Sequence, residues 1–82
     1  MQSSTKVHTV EVSINRQPVQ LPEREMTGLE IKQTAIAQGV AIGENFQLSI
    51  KQGDHYQVVG DTDEIRVHPH QEFICVAPDD NS

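Results

Sequence analysis

Side chains able to do chemistry are sparse in this chain, and each suggestive spacing has to be weighed against a plainer reading. His68 and His70 flank Pro69 in VHPHQ, and an extended backbone would turn both rings to one side. Such a pair could hold a metal, yet no cysteine or carboxylate follows at ligand spacing. Exposed loop histidines are the simpler reading, for these two and for His8 and His55. Asp61, Asp63 and Glu64 share residue types with a calcium loop but lack its spacing and its closing bidentate glutamate. A turn accounts for them. Cys75, the single cysteine, falls in the apolar run FICVA and reads as a small buried hydrophobe with an ordinary thiol. No glycine-rich phosphate loop, catalytic triad or carboxylate pair emerges. Neither enzyme chemistry nor a cofactor or metal is expected.

The chemistry that does suggest itself lies in FICVAPDDNS. Phe73 to Ala77 are strand formers, and Pro78 then removes a ladder donor. Asp79, Asp80, Asn81 and Ser82 are polar enough to stay solvated. A strand set this late, with only a polar stub after it, reads as an element that delivers a flexible tail (78–82) beyond the globule.

Several elements must position that strand. Residues 1–5 carry no pattern and read as a disordered arm, with one domain over 6–77. Val10, Val12 and Ile14 alternate with Thr9, Glu11 and Ser13, the period of a strand with one wet face. Asn15-Arg16-Gln17 forms a short polar connection, after which Val19 and Leu21 resume the alternation, making a hairpin. In MTGLEIKQTAIAQG, Thr27 and Glu30 have capping-box spacing, with Met26 and Ile31 placed as a hydrophobic staple. Leu29, Ile31, Ala35 and Ile36 share the apolar face of this helix, and Gly39 suits its C-terminal cap. Phe46, Leu48 and Ile50 mark a third strand, Tyr56 to Val59 a short one, and Ile65 and Val67 a short extended piece before Pro69. If Phe73 and Cys75 face inward on the last strand, Ile74 and Val76 face outward, beside Ser49 of the third. Those three residues are the candidate partner-binding surface.

Composition limits what such a chain can do. Its 82 residues build one domain, and a 35% apolar fraction without tryptophan builds a small core of Ile, Val and Leu. Large clefts are hard to carve from a core of that size. A formal charge of -6, with no basic stripe, argues against nucleic acid and favours a partner with a basic face. A lone cysteine and the lack of an apolar N-terminal run fit a reducing cytoplasm, and no segment is apolar for long enough to span a membrane.

One helix must bury its face on the only sheet available, with the first and last strands side by side and parallel at its centre. That arrangement is an α+β, mixed four- to five-stranded sheet grasping one helix, the β-grasp. With this order, the hairpin VEVSINRQPVQLPE, the helix start MTGLEIKQTA, the turn GDTDEI and the closing strand EFICVAP resemble the ubiquitin-like proteins. They are most similar to the bacterial multiubiquitin-type domains found beside homologues of activating and conjugating enzymes. The resemblance covers about residues 7 to 82 and implies a protein modifier whose tail carboxylate is adenylated and then joined to targets. It implies partners of those two enzyme kinds, target proteins and a tail-processing peptidase. It also implies that Asp79 to Ser82 form the conjugation tail, with Ile74 and Val76 docking the activating enzyme. The tip departs from the family pattern, with Asn81-Ser82 where such donors carry two glycines. Three routes stay open: use of the Ser82 carboxylate, trimming back to Asn81 or Asp80, or no activation. Two other function classes compete, a non-covalent adaptor binding through its sheet face or an open edge, and a sulfur carrier.

Overall fold

The structure, a computed structural model, describes residues 9–78. The expected arm over 1–5 and the conjugation-tail residues Asp79, Asp80, Asn81 and Ser82 lie outside the described residues. The elements run β1 (Val10–Ile14), β2 (Gln17–Leu21), β3 (Glu25–Thr27), α1 (Gly28–Ala37), β4 (Gln47–Gln52), β5 (His55–Val59), β6 (Glu64–Arg66) and β7 (Glu72–Val76). Five strands make one sheet in the order β2-β1-β7-β4-β5, with β1 and β7 parallel and the remaining neighbours antiparallel. The α+β β-grasp expected from the sequence is what the chain adopts. β3 and β6 form a separate two-stranded ladder that alternation alone did not reveal, because each has only three residues.

The first hairpin closes on Asn15 and Arg16, both at positive φ (54° and 69°), so Gln17 already belongs to β2. Two such residues in succession make the turn whose twist matches that of the strands it joins. Asparagine tolerates the left-handed region, whereas arginine adopts it at a cost. In a hairpin closed by two residues the flanking pair exchanges both backbone bonds, and so does every second pair beyond it. Ile14↔Gln17, Val12↔Val19 and Val10↔Leu21 are therefore the bonded pairs. Pro18 and Gln20 turn their backbone outward. Proline has no donor to offer there, and the Gln38 side chain takes up both groups of Gln20: its Oε1 accepts from the Gln20 N–H at 2.9 Å and its Nε2 donates to the Gln20 carbonyl at 2.7 Å.

A second side-chain amide does the same inside the sheet. Asn15 Nδ2 donates to the Cys75 carbonyl at 2.9 Å, and the Cys75 N–H donates to Asn15 Oδ1 at 2.9 Å. Together with the Asn15 N–H donated to the Phe73 carbonyl, this continues the β1–β7 ladder past the point where β1 turns away.

The helix begins as its sequence dictates. Thr27 is the N-cap, its Oγ1 accepting from the Glu30 N–H while Glu30 Oε1 accepts from the Thr27 N–H. The next orphan donors, on Gly28 and Leu29, bond to the carbonyls of Asp63 and Asp61. Turn 60–63 is thus part of the helix cap, and a Cβ on Gly28 would overlap the Gly60 carbonyl oxygen. Gly39 at φ 98° ends the helix in the left-handed conformation. The buried face differs from the wheel reading. Ile31 and Ala35 are buried, but Leu29 lies at the rim and Ile36 is exposed, while Lys32 takes the place expected for an apolar residue.

Lys32 can be buried because its ammonium is saturated. Nζ donates to the carbonyls of Glu44 and Phe46 at 2.7 and 2.8 Å and pairs with Asp61 Oδ1 at 2.7 Å. Its carbon stem fills the core while its head ties loop 40–46 and turn 60–63 to the helix. Around it Val12, Ile14, Val19, Leu21, Ile31, Leu48, Val67 and Phe73 lie almost fully buried between sheet and helix. Each such aliphatic or aromatic side chain contributes about 1.5–3 kcal/mol relative to exposure.

Candidate functional site

The alternation that buries one sheet face dictates what the other displays. On β7, Phe73 and Cys75 face the helix, as expected, while Ile74 is half-buried and Val76 is 49% exposed on the outer side. Ser49 on β4 stands opposite Ile74 on one flank and Val58 of β5 on the other, and it is only 6% exposed. Of the three residues expected to form a partner surface, Ile74 and Val76 stand on the outer sheet face, whereas Ser49 forms the floor between taller neighbours.

The face extends further than the sequence reading placed it. Val58 and Tyr56 are 55% and 45% exposed, and they share the outer side of β5 with Ser49 and Lys51 of β4. The hairpin through Gly53-Asp54 holds the signal that was missed. A two-residue turn fixes Lys51↔Tyr56 and Ser49↔Val58 as opposite pairs, so both side chains must lie on the face of Ile74. The result is an apolar group of Ile74 and Val76 on β7 and Val58 and Tyr56 on β5, with Ser49 of β4 flooring the strand between them. Lys51 and Glu72, 3.6 Å apart and both partly exposed, form a polar rim. An open cleft of about 710 Å³ lies beside them, lined in part by Arg16, Tyr56 and Ile74.

β7 carries this face and also ends beside it. Its last paired residue is Val76, opposite Gln47, and Ala77 and Pro78 follow as exposed residues outside any strand. β1 pairs with Glu72 and Phe73 on one side, the Asn15 amide takes over at Cys75, and β4 holds Phe73 to Val76 on the other.

The remaining chemistry-bearing residues have structural explanations. Cys75 is buried, and burial pushes its thiol pKa up, with the nearby Lys32 ammonium pulling partly back. That is the opposite of an activated nucleophile. Asp63 Oδ2 accepts from the Gly60 N–H at 2.9 Å and Asp61 pairs with Lys32, so both aspartates of GDTDE are engaged in holding their turn. His55, His68 and His70 are exposed, and His8 lies outside the described residues. The His68–Gln71 turn places His70 at φ 66°, and the His68 N–H donates to Gln71 Oε1.

A profile of the Multiubiquitin family matches residues 10–79, which is nearly the entire chain. No curated protein and no solved structure gives a significant match. The chain belongs to the multiubiquitin family, as the resemblance in its hairpin, helix start and closing strand implied.

Proposed function

We propose that this multiubiquitin-family domain is a bacterial ubiquitin-like protein modifier, a substrate of conjugating machinery in the cytoplasm and not itself an enzyme. In this reading the carboxylate of the Asp79–Ser82 tail, as it stands or after a peptidase has trimmed it, attacks the α-phosphorus of ATP on a cognate activating enzyme. Pyrophosphate leaves, and an acyl adenylate forms. A nucleophile of the machinery then takes the acyl group and releases AMP, and a target amine finally receives it as an isopeptide. Ile74, Val76, Val58 and Tyr56 dock the enzymes while the tail reaches the nucleotide.

The observation that carries this reading is the position of β7. It is the central strand of the sheet, paired on both sides, and it stops at Val76 with exposed Ala77 and Pro78 next to the apolar face. A rigid strand delivering its continuation from beside a docking surface suits a donor tail. No helix among the described residues is long and apolar enough to cross a membrane.

The test is incubation with the cognate activating enzyme and ATP, followed by intact mass, using full-length and stepwise trimmed tails. A covalent adduct with at least one tail length is expected, and Ile74→Arg should reduce its rate about tenfold or more, as for a buried interface anchor. Absence of an adduct with every tail length rejects the proposal. The width of the apolar face favours a non-covalent adaptor as the second reading. In that case deletion of residues 79–82 leaves partner binding intact and Ile74→Arg abolishes it.

A further inference from the structure

The sheet has two outer strands, and only one is sealed. On β5, the turn-closing pair Gln52↔His55 and the pairs Ile50↔Gln57 and Leu48↔Val59 exchange backbone bonds with β4. Tyr56 and Val58 therefore aim their N–H and C=O groups away from the sheet. Among the described residues, no hydrogen bond outside the ladder engages them. Buried or covered groups of this kind require partners, and an extended chain laid alongside supplies them. Beneath the same edge runs a groove of about 440 Å³, with Ile50, Val59 and Ile65 contributing apolar surface and Asp63 and Glu64 at the end where β5 leaves the sheet. Arg66 and His68 line its further part.

We propose that the β5 edge takes up an extended segment of a partner protein as a sixth strand, one with alternating apolar side chains and a lysine or arginine level with Asp63 and Glu64. The unengaged groups of Tyr56 and Val58 set the backbone register. One set of side chains lies beside Tyr56 and Val58, and the other enters the groove below. Charge selects the occupant. Glu64 is exposed and has no ion-pair partner among the described residues, and the formal charge of the chain is -6, so a basic segment is attracted. A second copy is disfavoured for the same reason. Pairing two β5 edges antiparallel, Tyr56 against Val58 of the other copy, would set Asp54 of each beside the acidic 60–63 turn of its neighbour. This edge uses the backbone groups of Tyr56 and Val58, whose side chains also belong to the outer apolar face, and strand uptake does not require tail activation.

The test uses the full isotope-labelled chain and a short capped peptide of alternating valine and threonine with a lysine at one end. At saturation, amide exchange at Tyr56 and Val58 should slow about tenfold while Gln20 is unchanged. Glu64→Lys, a surface substitution, should weaken the lysine peptide about threefold and leave a glutamine-ended version unaffected. Val58→Pro, checked for folding by thermal unfolding, removes one outward donor and should lower affinity further. The proposal is overturned by the absence of binding, or by peptide shifts centred on Gln20 and Gln38 or on Ile74 and Val76 without slowing at Tyr56 and Val58. Concentration-dependent slowing at Val58 without peptide would assign the edge to a second copy, and would overturn it too.

Discussion

β2 and β5 end the same sheet in opposite ways. β2 shows solvent a proline and a residue whose backbone is already taken by Gln38. β5 shows two residues with apolar side chains and unengaged backbone groups. The cause is the path of the helix, whose C-terminal end lies by β2 and leaves a glutamine within reach. Its N-terminal end, turn 60–63 and β6 lie beside β5 and offer its outward backbone groups no such side chain. An open edge is an aggregation liability that proteins usually blunt. Both edge strands are five residues long; the sheet blunts one by side-chain hydrogen bonds and bounds the other only by Asp54 and Asp61 just beyond its ends. Sealing is local, residue by residue, and can be removed the same way.

The largest effect should come from Lys32→Met. It orphans the Glu44 and Phe46 carbonyls and releases Asp61, and about 2–4 kcal/mol of stability should be lost, discounted for the half-exposed partner. Because those contacts hold the loops flanking β4 and β5, hydrogen exchange should rise on that side first while Gln20 stays protected. A uniform rise across the sheet would break the comparison. Asn15→Ala, acting between the two edges, should cost about 2 kcal/mol in chemical denaturation for two part-buried hydrogen bonds and a left-handed residue. It should loosen the end of β7 without distinguishing one edge from the other. Gln38→Ala should cost about 1 kcal/mol and speed exchange at Gln20 alone, making β2 resemble β5.

The smallest effect concerns pH. Burial holds the Cys75 proton more tightly in the folded chain than in the unfolded one, which releases it above about pH 8.5. That contribution is complete below this pH and is lost as pH rises toward the folded value. Cys75→Ala should flatten the alkaline decline measured by thermal unfolding. An unchanged slope would show that other groups set it.

Sequence patterning revealed the frame because its signals are local. Alternation at Val10, Val12 and Ile14 and the Thr27–Glu30 box depend on near neighbours, and each recurs in the structure. The inward side of Phe73 and Cys75 followed from period two and placed Ile74 and Val76 correctly. What escaped was non-local. Lys32 is buried because two carbonyls and a carboxylate from distant turns converge on it, and no wheel shows that convergence. Asn15 and Gln38 look like ordinary polar residues until folding brings a strand beside each. Tyr56 and Val58 were legible in principle, through the register that the Gly53-Asp54 turn imposes, but only once that turn is known to contain two residues.

The Asn15 clamp also bears on how this protein is made. It joins residues 60 positions apart, and the β1–β7 pair beside it is equally distant in the chain. On the ribosome the first hairpin emerges long before its central neighbour has been synthesised, and an isolated hairpin is marginal in water. The sheet cannot close until β7 is clear of the exit tunnel, so its assembly waits for the synthesis of Glu72–Val76. Truncated translation products that stop short of Glu72 would leave β1 with a bare flank, a form suited to recognition by chaperones and proteases.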